Sequence, residues 1–110
     1  KDVVHYSMSK VGVITLTRDL AREFGDKGFR VNAIIPGGIL TEGTKSAAKQ
    51  AIITLDARLM SDSYNFYQRL PIGRFGDPDE VARMAVVLSS NLSSYVHGAL
   101  LPVDGGFLSA

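Results

Sequence analysis

The chain has 110 residues, 45% of them hydrophobic and 21% charged, which is the composition of a folded protein rather than a disordered one. Its net charge of +1, with acids and bases interleaved, argues against a nucleic-acid or anionic-membrane surface. The lack of cysteine excludes disulfides, thiolate metal sites and a cysteine nucleophile, and His5 and His97 lie too far apart for a metal-binding pair, so we expect no metal.

The first predicted element is a long helix over residues 6–24. Apolar residues recur in it at spacings of about three and four, while charged residues fall between them. Gly25 stands where a C-terminal helix cap is expected, and Gly28 is expected to close the turn. The apolar residues at these spacings are Val11, Ile14, Leu20, Ala21 and Phe24.

Tyr6 and Lys10 are the candidate catalytic residues. They are four apart on this helix, so their side chains lie on one face. A tyrosine is a poor acid–base catalyst at neutral pH, and a nearby ammonium stabilises its phenolate form. The same ammonium can donate hydrogen bonds to ribose hydroxyls. Alone the pair is weak evidence, because this spacing also arises on ordinary solvated helix faces.

A buried parallel strand is predicted at residues 29–35, a short run rich in β-branched residues. Pro36 and Gly37 end it, and the loop continues to Thr41. Parallel sheets bind ligands at the carboxyl ends of their strands, glycines let a flat ring approach the backbone, and a threonine can hydrogen-bond a carboxamide. The alternative is an ordinary strand-ending turn.

Residues 42–70 predict two short helices, with helical composition strongest over residues 47–60. An aromatic cluster follows at Tyr64, Phe66 and Tyr67. These rings could line a substrate pocket, but packing inward from an amphipathic helix is an equally good interpretation.

Asp77-Pro78-Asp79-Glu80 predicts the start of the last helix. It has an acid at the N-cap, proline at the first helical position and glutamate at the third, as in a capping box. A second buried strand is predicted at residues 99–103, and His97 before it is interpreted as a loop residue. The helix residues predicted to face inward are Val81, Ala82, Ala85 and Leu88.

A strand, a helix and a strand make a right-handed parallel crossover unit, so the fold class is α/β. Two parallel strands cannot bury both faces and both edges by themselves. We therefore expect the C-terminal part of a doubly wound, Rossmann-like parallel sheet whose N-terminal strands lie outside these residues, so that 1–110 form the C-terminal half of one domain.

Four motifs in order resemble the classical short-chain dehydrogenase/reductase family, in its 3-oxoacyl-carrier-protein-reductase-like and glucose-dehydrogenase-like branch. Residues 6–10 (YSMSK) look like the active-site helix motif, and residues 30–37 (RVNAIIPG) look like the sixth strand. Residues 70–82 (LPIGRFGDPDEVA) resemble the family's segment that leads into its last helix. Residues 98–106 (GALLPVDGG) resemble its final strand. The resemblance covers nearly the whole chain.

The resemblance implies an NAD- or NADP-dependent enzyme acting on a small carbonyl or alcohol substrate. Tyr6 would donate or accept the proton, and Lys10 would assist it and bind the nicotinamide ribose. Ile39, through its backbone, and Thr41 would hold the carboxamide. Pro36 and Gly37 would line the nicotinamide. Asn32, by contrast, is interpreted as structural.

Several parts of the family's machinery have no match here: the glycine-rich phosphate loop, the catalytic serine, the asparagine of the proton relay and the residue that selects NAD or NADP. We therefore expect the 110 residues to be inactive alone, with the missing N-terminal half as their partner. The resemblance also suggests a cytoplasmic homo-oligomer. Two alternatives are a non-catalytic remnant or interaction module, and a stand-alone domain that binds no nucleotide.

Overall fold

The computed structural model describes residues 3–109 of the chain. They form four helices and two short strands, joined by loops and 3-10 turns. In chain order these are α1 (Val3–Phe24), β1 (Ala33–Pro36), α2 (Glu42–Thr54), α3 (Ala57–Gln68), α4 (Pro78–Ser89) and β2 (Leu100–Val103).

Helix α1 ends at Phe24 as predicted, but it begins at Val3, three residues before the predicted start. Its buried face lies in its C-terminal half, at Thr17 and Ala21. The hydroxyl of Thr17 donates to the carbonyl of Val13 at 2.8 Å, and the helix can therefore bury it without an unpaired polar group. Of the apolar residues whose spacing predicted the helix, Ala21 is buried and Val11 is 61% exposed.

The turn after α1 differs from the one predicted. Gly25 begins a 3-10 turn, Gly25–Lys27, instead of capping the helix. Gly28 provides the left-handed cap, with φ of 82°. A residue with a side chain would be strained in that conformation, which explains the glycine at this position.

The two strands are shorter than the sequence predicts and pair with each other. The amide of Ala33 donates to the carbonyl of Ala99, and the amide of Gly37 donates to that of Val103. The donor and acceptor residues differ by the same number of positions at both ends of the strand pair, as in a parallel ladder. The described residues thus form a partial α/β domain. Their strand residues are half-buried rather than fully buried, except Pro36 and Pro102, which are exposed.

The two helices predicted between residues 42 and 70 are present as α2 and α3. The break between them falls inside the run expected to be helical, at Leu55, which adopts a left-handed φ of 51°. Phe66 is half-buried, Tyr67 is 38% exposed with its ring beside that of Phe75, and Tyr64 is 63% exposed. The expectation of inward packing therefore fits Phe66 best.

Helix α4 begins at the predicted proline. The Glu80 carboxylate accepts from the amide of Asp77, and the Asp77 carboxylate accepts from the amide of Asp79. The predicted capping box is thus present, with the aspartate bonded one residue earlier than in the usual pattern. On the predicted inward face, Val81 and Leu88 are half-buried, but Ala82 and Ala85 are exposed, which corrects that prediction.

The described residues divide into two compact units. The first comprises residues 3–35 and 85–101, and the second comprises residues 36–84 and 102–109. Among residues 3–109, no helix combines the length and apolar character needed to cross a membrane.

Candidate functional site

The predicted catalytic pair belongs to the first unit, on the N-terminal part of α1. The ammonium of Lys10 lies 5.3 Å from the centre of the Tyr6 ring, as expected for side chains one helical turn apart. The Tyr6 side chain is 62% exposed, so the ring is open to a ligand. The hydroxyl of Ser9 donates to the Tyr6 carbonyl at 2.7 Å and is therefore occupied within the helix.

The other end of α1 is tied to the chain before β1 through His97. One ring nitrogen, Nε2, lies 2.7 Å from the carbonyl of Ala21, and the other, Nδ1, accepts from the amide of Val31 at 3.2 Å. An amide can only donate, so this arrangement assigns the ring proton to Nε2. His97 is thus a structural link between the helix and the strand segment, not only the loop residue that the sequence suggested.

Asn32 has the structural role predicted for it. Its side-chain amide donates to the carbonyl of Val96 at 2.9 Å, and its side-chain oxygen accepts from the amide of Ala99 at 3.0 Å. The side chain replaces a stretch of strand pairing, which explains in part why β1 starts only at Ala33.

Arg30 is a further structural residue of the first unit, and the sequence interpretation gave it no role. One guanidinium nitrogen donates to the carbonyls of Leu88 and Ser93 and to the Ser93 hydroxyl, and the other donates to the carbonyl of Ser90. It therefore satisfies carbonyls at the C-terminal end of α4. A single cation within a strand predicted to be buried is the signal that could have indicated it.

The predicted cofactor loop, residues 36–41, belongs to the second unit. Gly37 has no space for a side chain, because a Cβ there would lie 2.5 Å from the backbone Cα of Asp104. Thr41 is the N-cap of α2, and its hydroxyl oxygen accepts from the amide of Thr44 at 3.2 Å. The Thr41 hydroxyl also lies 3.4 Å from the Thr44 hydroxyl, and it can turn its own proton from this long contact to a ligand.

The loop is held by Gly76, which forms a parallel bridge with Ile39. The amide of Gly76 donates to the carbonyl of Gly38 at 2.9 Å, and the amide of Leu40 donates to the carbonyl of Gly76 at 2.8 Å. In such a bridge the residue between the two bonds turns its own amide away from the partner. Accordingly, the Ile39 amide has no hydrogen-bond partner within residues 3–109 and can donate to a ligand.

A cleft of about 290 Å³ lies in the second unit, where both strands end. Its position is the one at which parallel sheets bind ligands. The residues that line it are Gly38, Ile39, Ile72, Arg74, Gly76, Glu80, Pro102, Val103, Asp104, Gly105 and Gly106.

One ion pair stands at this cleft. The guanidinium of Arg74 donates to both carboxylate oxygens of Glu80, at 2.7 and 2.8 Å. These hydrogen bonds and that from the amide of Asp77 lower the pKa of Glu80 from 4.5 to about 2. The Glu80 carboxylate in turn raises the pKa of Arg74. Within the described residues, no group of three or more potential metal ligands is found.

The predicted site residues therefore fall into two sets. Tyr6 and Lys10 are together on α1 in the first unit, and Pro36, Gly37, Ile39 and Thr41 follow one another on a single loop of the second. Each set has groups that can donate protons or hydrogen bonds to a ligand.

Comparisons with known proteins agree with the motifs. Residues 1–108 match the family model described as enoyl-(acyl carrier protein) reductase. The chain is 38% identical over 104 residues to the 3-oxoacyl-[acyl-carrier-protein] reductase of Thermotoga maritima, with 94% of this chain and 38% of the relative covered. It is 42% identical over 103 residues to glucose 1-dehydrogenase 2 of Bacillus subtilis, with 94% of this chain and 36% of that protein covered.

Similarity in structure accompanies similarity in sequence. A crystal structure assigned as a 2-deoxy-d-gluconate 3-dehydrogenase of Agrobacterium tumefaciens, with bound NADP, matches with a TM-score of 0.83 at 41% identity. The match covers 96% of this chain and 39% of that one. The chain thus spans less than two fifths of the length of these relatives.

Proposed function

Because the chain belongs to the short-chain dehydrogenase/reductase family, we propose that it carries part of the active site of an NAD- or NADP-dependent oxidoreductase. The enzyme would transfer a hydride between the nicotinamide and a small carbonyl or alcohol substrate. The observation that carries this proposal is the Tyr6 ring, open to solvent and one helical turn from the Lys10 ammonium.

Tyr6 and Lys10 would handle the proton. In reduction the Tyr6 hydroxyl donates its proton to the carbonyl oxygen, and in oxidation the phenolate accepts the proton of the alcohol. The ammonium of Lys10 favours the phenolate by its charge and can donate hydrogen bonds to ribose hydroxyls. The bound nicotinamide supplies or accepts the hydride.

The loop at residues 36–41 would hold the nicotinamide end of the cofactor. Its two available donors, the Ile39 amide and the Thr41 hydroxyl, suit a carboxamide, whose oxygen accepts hydrogen bonds. Pro36 and Gly37 add a face that carries no long side chain, against which a flat ring can lie. The donor set on this chain therefore fits a nicotinamide.

Other parts of a dinucleotide site would come from polypeptide beyond these residues. We propose that residues 1–110 are the C-terminal half of one Rossmann-like domain, and that the other half supplies the phosphate loop, the serine and the asparagine. On this proposal the 110 residues bind no dinucleotide alone. A cytoplasmic location and a homo-oligomeric assembly belong to the same proposal.

The test is to replace Tyr6 by phenylalanine in the full-length enzyme. Loss of the proton donor should lower kcat by roughly a hundred- to ten-thousand-fold, while the fold is unchanged because only a hydroxyl is removed. Tyr95→Phe is the matched control, since the Tyr95 side chain is fully exposed. Steady-state reduction of a carbonyl substrate with NADH or NADPH gives the rates. Full activity in Tyr6→Phe would refute the catalytic assignment.

A second candidate is a non-catalytic interaction module. The observation in its favour is the exposed apolar surface along one face of α1, formed by Val4, Met8 and Val11. A partner protein could cover this surface without any use of Tyr6. The two candidates separate when the complementary half is added: the enzyme gains activity that Tyr6→Phe removes, whereas the module binds equally well with either residue.

A further inference from the structure

The segment Arg74–Gly76 determines where the cofactor loop lies in the second unit. Gly76 bonds to residues on both sides of Ile39, through its amide and its carbonyl. A Cβ on Gly76 would lie 2.8 Å from Cδ1 of Ile39, so the Ile39 side chain packs directly against the Gly76 backbone and leaves no room for a side chain there. A shift of Gly76 would therefore shift the Ile39 amide as well.

The same segment is fixed by the ion pair of Arg74 with Glu80. The guanidinium also donates to the carbonyl of Phe75 at 3.1 Å, and the carboxylate also accepts from the amide of Asp77 at 2.8 Å. The backbone on either side of Gly76 is thus bonded to one or other member of the pair. A planar guanidinium bound through two parallel hydrogen bonds permits little rotation, which makes the pair a rigid support.

We propose that Arg74 and Glu80 are positioning residues for the cofactor: through Gly76 they hold the loop that carries the Ile39 amide and the Thr41 hydroxyl. This inference rests on the proposed function, because it assigns the pair a part in binding the nicotinamide. Neither residue needs to touch the ligand. The role is one of keeping two donors at a fixed separation before the ligand arrives.

A capping role alone would not need the arginine. Glu80 caps α4 through the Asp77 amide, and a glutamate can do so without a cation beside it. A second ion pair, Arg83 with Asp79, lies on the same helix at a spacing of four residues. Both of its side chains are more than half exposed, so it is an ordinary surface ion pair. It therefore provides a matched control.

The experiment compares Arg74→Gln, Arg74→Lys and Glu80→Gln with Arg83→Gln in the full-length enzyme. Glutamine at position 80 can still accept from the Asp77 amide, so Glu80→Gln removes the ion pair and keeps the cap. We expect the KM for NADH or NADPH to rise about three- to fivefold in Arg74→Gln and Glu80→Gln, near the upper end of what a half-exposed pair can supply. Arg74→Lys should fall between these variants and wild type, because lysine keeps the charge but not the fork.

A purely structural role would give a different pattern. The KM for the carbonyl substrate and the KM for the cofactor would then move together with the melting temperature. The proposal requires the cofactor KM to rise while the carbonyl KM stays within about twofold and Arg83→Gln matches wild type. An unchanged cofactor KM in both Arg74→Gln and Glu80→Gln, or an equal rise in Arg83→Gln, would overturn it.

Direct binding separates this proposal from the proposed function. Fluorescence titration of NADH and NADPH measures cofactor affinity without turnover, in wild type and in each variant. If Tyr6→Phe keeps full activity, the catalytic assignment fails while the titrations still test the pair. If Tyr6→Phe is inactive and Arg74→Gln binds cofactor as wild type does, the positioning role alone fails.

Discussion

Within each of the two units, polar side chains hold the loops and helix ends in place, but the hydrogen bonds they form are of different kinds. In the first unit, Arg30, Asn32 and His97 bind backbone groups that are 58 to 76 residues distant in sequence. In the second, Arg74 and Glu80 are six residues apart and bind each other. The first arrangement depends on the tertiary fold being complete, whereas the second can form from a short stretch of chain.

The chemistry of the partners differs as well. The guanidinium of Arg30 bonds to carbonyls and a hydroxyl and forms no ion pair within the described residues. Uncharged acceptors that are partly buried depend on their donor, because water does not fully replace it. The Arg74–Glu80 pair is more exposed, and solvent can compensate for its loss. We therefore expect substitutions in the first unit to cost more stability.

Replacing Arg30 by methionine should have the largest effect on stability. Methionine fills similar space but removes the guanidinium's charge-assisted hydrogen bonds to Leu88, Ser90 and Ser93, whose carbonyls keep only uncharged donors from residues 93 and 96. We expect the free energy of unfolding to fall by about 2–4 kcal/mol, measured by chemical denaturation. Arg22→Met is the control, because the Arg22 side chain is 81% exposed in a loose pair with Asp19, and it should cost less than about 0.5 kcal/mol. Equal effects of the two substitutions would contradict the comparison.

Replacing His97 by phenylalanine should have an intermediate effect. The ring shape is retained, but the Ala21 carbonyl loses its donor and the Val31 amide loses its acceptor. With two hydrogen bonds lost near the surface, we expect a loss of about 1–2 kcal/mol in the free energy of unfolding. His97→Gln can donate and accept at once and should recover part of it. If His97→Phe is as stable as wild type, the link between α1 and the strand segment contributes nothing.

Much of the local arrangement in the second unit could be predicted from the sequence, but little of the long-range hydrogen bonding in the first unit could. The capping box at Asp77 and Glu80 is local, so its spacing alone indicates it. The contacts of Arg30 and His97 join residues that only the folded chain brings together, and no spacing shows them. The inward placement of Ala82 and Ala85 was wrong for a related reason: apolar periodicity marks a helix face but does not say what covers it.

The candidate site likewise has a part that local sequence predicts and a part that only the fold shows. The order of motifs predicted which residues carry chemistry, and α1 brings Tyr6 and Lys10 to one face because a helix has a fixed repeat. The support of the Ile39 amide by Gly76 could not be predicted, since it is a bridge between two loops with no regular period. Loop-to-loop geometry is where the structure adds most to the sequence.

The smallest expected effect is the acid dependence of the Arg74–Glu80 pair, and it tests whether the second unit relies on charge. The pKa of Glu80 is lowered from 4.5 to about 2, so the folded state binds this proton less readily than the unfolded state. The contribution of the pair to stability should therefore be complete above about pH 4.5 and should be lost as the pH falls through about 2. Between pH 5 and pH 7 it should not vary.

The measurement is the difference in denaturation midpoint between wild type and Glu80→Gln as a function of pH. This difference should be small, constant near neutrality and progressively lost in acid, and 1 M salt should reduce it because the pair is exposed to solvent. An NMR titration of the Glu80 carboxyl supplies the cause: Arg74→Gln should move its pKa upward, because the guanidinium is the largest influence that lowers it. If the pKa of Glu80 is the same in Arg74→Gln as in wild type, the helix terminus alone stabilises the carboxylate. The second unit would then depend on its backbone rather than on an ion pair.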